Sequence, residues 1–203
     1  MIGDVSLRLA LCTSLAVLAS AGAGLALAAS PDVPVVATEK AGGAATGAPD
    51  LTRVSLQRAS DGRLRAGFSF AADLHPADLV AKSGPPGSVC LRVYVLATPG
   101  VLPPDYLVCV SADAKGKTLR GSVLAEQVNA LPKRVATATV SQPGKRRVAV
   151  RFSQSSVGRP PVIQFLGEAT RAGCPRASCV DTLPDAPQTK KLTLRAAEAP
   201  AGR

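Results

Sequence analysis

The chain has 203 residues, with 24 Lys or Arg against 14 Asp or Glu, one His, no Trp, two Tyr and four Phe, and a formal net charge of +10. That charge makes anionic surfaces the natural partners. The shortage of rings argues against a sugar-stacking platform and against single-stranded nucleic acid, both of which use exposed aromatic faces, so no nucleic-acid partner is expected.

The first segment, MIGDVSLRLALCTSLAVLASAGAGLALAAS, carries no charge from Leu9 to Ala29 and ends in small residues. It reads as a secretory signal peptide over residues 1–30, with Ala26/Ala28 or Ala28/Ser30 supplying the small side chains that signal peptidase requires. The rival is an uncleaved anchor, since such a run is long enough to cross a bilayer; a membrane association of the chain is expected only in that case. Residues 31–49, rich in Ala, Gly, Pro and Thr without periodicity, are expected to form a disordered linker, and residues 197–203 a disordered tail. The folded domain is expected over residues 50–196, in a secreted or cell-envelope location.

LTRVSLQRASDGRLRAGFSFA places Val54 and Leu56 on one face of a first strand and Leu64, Ala66, Phe68 and Phe70 on one face of a second. Even numbers must oppose even numbers if the apolar faces are to coincide, which excludes a two-residue Asp-Gly turn and selects a loop of Ser60, Asp61 and Gly62. The expected pairs are Val54 with Phe68 and Leu56 with Ala66. This opening hairpin, with Asp50-Leu-Thr-Arg-Val-Ser-Leu and Asp61-Gly-Arg-Leu-Arg, resembles the first hairpin of DOMON-like and related carbohydrate-binding sandwiches of secreted bacterial proteins. The resemblance implies a binding module with a jelly-roll-like sandwich and no particular ligand. It transfers no haem-ligating Met/His pair, because Met1 is the only methionine.

CLRVYVLATPGVLPPDYLVC has a cysteine at each outer end of two β-rich runs. Val89, Leu91, Val93 and Val95 form one face, and Tyr106, Val108 and Val110 another, so odd numbers must oppose even ones. Pairing Cys90 with Cys109 satisfies that parity and sets Val89 against Val110, Leu91 against Val108 and Val93 against Tyr106. A cross-strand disulfide fits there. The remaining two cysteines of the expected mature chain, Cys174 and Cys179, flank a short turn and form the second expected local bridge, although four cysteines allow three connectivities. With no CxxC pair and His75 the only histidine, neither a zinc site nor a thioredoxin-like redox role is expected.

Further on, a two-residue Lys115-Gly116 turn would pair Val108 with Val123 and Ala112 with Leu119. A hairpin around Pro143-Gly144 would join the Ala136, Ala138, Val140 face to Val148, Val150 and Phe152. PVIQFLG and KKLTLRA add short strands, while HPADLVAK and VLAEQVNAL suit short helices. The expected class is mainly β: an antiparallel β-sandwich, jelly-roll or Ig-like, of seven to eight short strands with one or two short helices.

No catalytic motif emerges, and no Gly-rich phosphate loop or cofactor site. His75 beside Pro76 reads as a solvated or capping residue. Glu126, Glu168, Asp73 and Asp105 are candidates for carboxylate-pair hydrolysis, but no motif selects a pair. Asp181 and Asp185 could ligate calcium, turn chemistry being the commoner use of such residues. Tyr94 and Phe165 are the aromatics left off the expected core faces. Arginine is the remaining signal: Arg63 and Arg65 lie opposite an apolar strand face with Arg58 close by, and Lys145, Arg146 and Arg147 fall at a hairpin tip. A solvated face is the plain reading; the sharper one is a patch for anionic envelope polymers or lipid headgroups, since guanidinium groups pair with phosphate, sulfate and carboxylate. The chain is thus read as an exported, non-enzymatic binding or structural module, with a secreted carboxylate-pair hydrolase as the alternative.

Overall fold

A computed structural model describes residues 33–44, 47–174 and 179–194; the expected signal peptide, the tail, and the turn between Cys174 and Cys179 lie outside them. The described chain is mainly β and antiparallel, with eleven strands: β1 (Val35–Thr38), β2 (Leu51–Arg58), β3 (Leu64–Phe70), β4 (Ser88–Tyr94), β5 (Tyr106–Ala112), β6 (Leu119–Gln127), β7 (Ala130–Gly144), β8 (Arg147–Phe152), β9 (Val162–Thr170), β10 (Val180–Leu183) and β11 (Lys190–Thr193). They form one open sheet in the order β1-β2-β3-β8-β7-β6-β5-β4-β9-β10, with β11 also on β9. The long strand β7 joins the two halves: its pairing with β6 ends at Ala138 opposite Gly121, and its pairing with β8 begins at Thr139 opposite Arg151. The apolar faces of the halves then meet. Val54 of β2 lies against Gly167 of β9, within a core that includes Leu56, Phe68, Phe152, Val89, Leu91, Val108 and Phe165.

The parity arguments hold residue for residue. Val54 opposes Phe68 and Leu56 opposes Ala66. Val89, Cys90, Leu91 and Val93 oppose Val110, Cys109, Val108 and Tyr106. Val108 opposes Val123, Ala112 opposes Leu119, and Val140 opposes Val150. The first loop is the expected three residues: Ala59 N–H donates to the Arg63 carbonyl at 2.7 Å, and Gly62 takes φ 75°, a left-handed conformation that glycine adopts without steric cost.

Four expectations are corrected. The strand count exceeds seven to eight because all nine of the runs read as strands form, β1 forms inside the expected linker, and β10 forms inside a segment read as a turn. β1 is short and set among Pro and Ala, so its own sequence is a weak strand signal; it forms because β2 offers an edge, where Ala37 is buried opposite Val54. VLAEQVNAL is no helix but a hairpin in which Gln127 opposes Ala130, turning at Val128-Asn129 with Asn129 at φ 59°, a conformation Asn tolerates. HPADLVAK gives only a 3-10 turn at Pro76–Leu79, and the other described turn of this kind is Gln154–Val157. Finally, two hairpin ends differ. The β5–β6 loop spans four residues, closed by Asp113, whose Oδ1 accepts from Lys117 N–H at 2.7 Å and Thr118 N–H at 3.2 Å. The β7–β8 tip is Lys145-Arg146, with Gly144 opposite Arg147. Pro143, which has no N–H to donate, falls in the irregularity between Ser141 and Gly144.

Candidate functional site

Strand alternation sends every second residue of β2, β3 and β8 away from the core. On that outer face Arg53, Ser55 and Gln57 of β2 oppose Ser69, Gly67 and Arg65 of β3. β3 in turn sets Ser69, Gly67 and Arg65 against Arg147, Ala149 and Arg151 of β8. Four arginines therefore bound a floor of small residues. Adjacent strands are about 4.8 Å apart, and the Arg65 level lies about 13 Å along the strand from the Arg147 level. The floor is close-set at Gly67, where a Cβ would lie 2.8 Å from Ser55 Oγ and turn that hydroxyl aside.

Of the five basic residues singled out from sequence, Arg65 and Arg147 lie on this face. Arg63 follows the β2–β3 loop at one end of it, and Lys145 and Arg146 form the β7–β8 tip at the other; all five are exposed. The two sequence groups thus share a sheet face but mark its opposite ends. Arg53 and Arg151, which join them, were missed because their neighbours on the face come from strands distant in sequence. Arg146 Nε donates to Asp73 Oδ1 at 3.0 Å, and Arg151 Nη2 to Asp61 Oδ2 at 2.6 Å. Among the described residues, Arg53, Arg65 and Arg147 make no ion pair.

Both cysteine pairs are at disulfide distance. Cys90 and Cys109 face each other across β4 and β5 with Cα atoms 4.0 Å apart; the Cα atoms of Cys174 and Cys179 are 6.0 Å apart. Two bridges fit an oxidising, extracytoplasmic environment, and no helix among the described residues is long and apolar enough to cross a membrane. The aromatic residues read as exposed are not: Phe165 is in the core and Tyr94 is buried. His75 precedes the 3-10 turn, and its N–H donates to Asp78 Oδ2 at 2.7 Å, a capping arrangement.

Of the four candidate acids of the sequence, three take separate structural roles, and Glu126 lies half-buried near the end of β6. Glu168 pairs with Arg92 and Asp73 with Arg146. Asp105 Oδ2 accepts the N–H groups of Val95, Leu96 and Ala97 at 2.7, 2.9 and 2.9 Å; although its partial burial works in the opposite direction, these bonds hold its pKa below the usual carboxylate value. A different group gathers where β1 ends and β2 begins. Carboxylate oxygens of Glu39, Asp50 and Asp181 lie within 4.8 Å of one another. Asp181 is 5% exposed, and its Oδ2 accepts Leu51 N–H at 2.7 Å; Asp50 Oδ2 accepts Gly42 N–H at 2.6 Å. Burial, then the charges of Asp50 and Asp185, raise the pKa of Asp181 despite the Leu51 bond. Burial, then the charges of Asp181, Asp185 and Asp50, raise Glu39. Oxygen donors so placed are the type a hard cation takes, but the group also relieves its repulsion by taking up protons. Asp185 itself is in an exposed turn, its carbonyl accepting Gln188 N–H at 2.9 Å.

No protein-family model matches the chain, and no match is found among curated proteins or solved structures.

Proposed function

We propose that the protein is an exported, non-enzymatic binding module of the cell envelope, built on a sandwich-type β fold, that holds an anionic polymer across the outer face of β2, β3 and β8. One observation carries this reading: Arg65 stands directly opposite Arg151, with Arg53 and Arg147 on the same face. Like charges opposed across strands destabilise a sheet, and only Arg151 has a carboxylate at hand. A chain of phosphate, sulfate or carboxylate groups laid over the small-residue floor would supply the missing counter-charge through paired guanidinium hydrogen bonds. Binding in place of hydrolysis is favoured by the burial of Asp181, whose carboxylate is engaged by Leu51 N–H.

The test is salt elution from an anionic matrix. A variant with Arg53, Arg65 and Arg147 changed to Gln should elute at lower salt than a control with Lys115, Lys117 and Lys191 changed to Gln, all three of which are exposed away from this face. Both lose three charges, so equal elution would mean that only net charge matters and the localised site does not exist.

A further inference from the structure

Eight large apolar side chains are exposed among the described residues, and six of them belong to two adjoining projections. Leu96 (90% exposed), Val101 (76%) and Leu102 (54%) are in the β4–β5 loop; Val128 (91%), Leu131 (88%) and Val135 (47%) are on the β6–β7 hairpin. Strand register puts both at one end of the sheet. Val93 of β4 opposes Tyr106 of β5, which opposes Ala125 of β6, so the end of β4 and the end of β6 flank the start of β5.

These projections are braced. The Asp105 carboxylate accepts three successive N–H groups at the root of the β4–β5 loop. The Asp105 carbonyl accepts Glu126 N–H at 3.0 Å, tying that root to the hairpin. Gly100 packs on Pro187, whose Cβ would be 2.7 Å from any Cβ at that position. Leaving aliphatic side chains almost wholly in water on a fixed support has a cost that some apolar contact would recover.

Charge identifies the contact. Lys133 and Arg134 stand exposed behind the hairpin tip, opposite Ala125 and Leu124. Arg159 is exposed beside Gly158, itself next to the Tyr106 hydroxyl. Arg63 is exposed at the same end, since Leu64 opposes Phe152, which leads into the turn before Gly158. Of the carboxylates at this end, Asp61 pairs with Arg151 and Asp105 is taken up by backbone donors, leaving Glu126 and, beside the Ala186-Pro187 segment that meets the β4–β5 loop, the exposed Asp185. Glu39, Asp50, Asp73, Asp78, Asp113 and Asp181 all fall toward the other end, near the β5–β6 and β7–β8 turns or the start of β2. The apolar tips therefore stand beside exposed cations, although Lys115, Lys117, Lys145, Arg146 and Arg147 are exposed at the other end as well.

We propose that this end docks on an anionic lipid bilayer, the aliphatic tips entering the headgroup layer and Lys133, Arg134 and Arg159 meeting lipid phosphates. Separate protrusions suit a fluid surface that closes around each of them, and interfacial binding strength comes from just this sum of buried apolar area and attraction to anionic lipid. A protein partner is less favoured because the tips carry no aromatic residue, the usual anchor of protein interfaces. This site is distinct from the arginine face and does not rest on it.

Sedimentation with vesicles of phosphatidylcholine and phosphatidylglycerol in equal parts, and of phosphatidylcholine alone, tests the proposal. The protein should bind the mixed vesicles and bind the neutral ones much more weakly. Changing Leu96, Val128 and Leu131 together to Asn leaves every charge in place and should lower the partition coefficient at least about tenfold. Changing Lys133 and Arg134 to Gln should lower it about ten- to thirtyfold. Because the chain has no tryptophan, Val128→Trp reports on insertion alone: its emission should shift to the blue on mixed vesicles, while Ala114→Trp at the opposite end should not shift. The proposal is overturned if the protein does not sediment, if the Asn variant binds like the wild type, or if the Val128→Trp emission is unmoved while protein is bound. The Arg53, Arg65 and Arg147 variant should keep vesicle binding within about threefold; if it alone abolishes binding, the lipid site is the arginine face and the docking end is refuted.

Discussion

Replacing Gly167 with Ala probes the contact by which the two halves of the sheet share one core. A Cβ at Gly167 would lie 3.2 Å from Val54 Cγ1, 3.3 Å from Val54 Cβ and closer still to Cγ2, well inside the 3.5–4.0 Å at which carbon atoms attract (a range of about half an ångström). Val54 has no exposed surface and no room to retreat. Overpacking of this kind costs about 1–3 kcal/mol, and the upper part of that range is expected, since β9 is held on one side by β4 and on the other by β10 and β11. Val54→Ala alone should cost about 2 kcal/mol through lost methyl burial and the cavity left behind. In the double variant the new methyl of residue 167 occupies the space the valine methyls leave. The two costs should then fall short of additivity by about 1–2 kcal/mol, measured as a double-mutant cycle of urea unfolding midpoints. Additivity within about 0.5 kcal/mol would mean that β2 and β9 do not touch face to face, and the reasoning that folds one open sheet around a single core would fail.

Loop entropy ranks the two bridges. The Cys90–Cys109 bridge spans 19 residues and Cys174–Cys179 spans 5, so paired Cys→Ala changes should cost about 3 and about 2 kcal/mol respectively in oxidised protein; the reverse order in urea unfolding would contradict this. Asp181 and Glu39 both have raised pKa values in the fold, so their contribution favours the native state at low pH and is lost as pH rises through those values. Thermal stability should therefore gain from them as pH falls from neutral toward the ordinary carboxylate range, while Asp181→Asn, whose amide oxygen can still accept from Leu51, should be more stable than wild type at neutral pH and show a flatter gain; an unchanged pH slope would refute the coupling. Asp105 works in the other sense, its lowered pKa giving stability that is present above the ordinary carboxylate range and lost as pH falls through the folded value. Asp105→Ala should cost about 2 kcal/mol and make the segment around Leu96 the first to lose amide-exchange protection; unchanged protection there would show that the loop is braced otherwise.

Period-two alternation was enough, by itself, to determine the antiparallel β class and the register of three hairpins, because a slip by one residue would turn every apolar side chain from the core to water. The same parity located the Cys90–Cys109 bridge, which needs two opposed residues and nothing more. Local sequence did not determine what depends on neighbours distant in the chain. β1 and β10 are strands because β2 and β9 present edges to them. Val128-Asn129 is a hairpin tip because β6 and β7 continue pairing past the point where VLAEQVNAL has helical periodicity. Arg53 and Arg151 joined Arg65 and Arg147, and Glu39 and Asp50 joined Asp181, only once strands far apart in sequence lay side by side. Register between consecutive strands is fixed by burial within one hairpin, whereas the composition of a surface is fixed by which hairpins become neighbours, and that choice is made by the packing of the whole core.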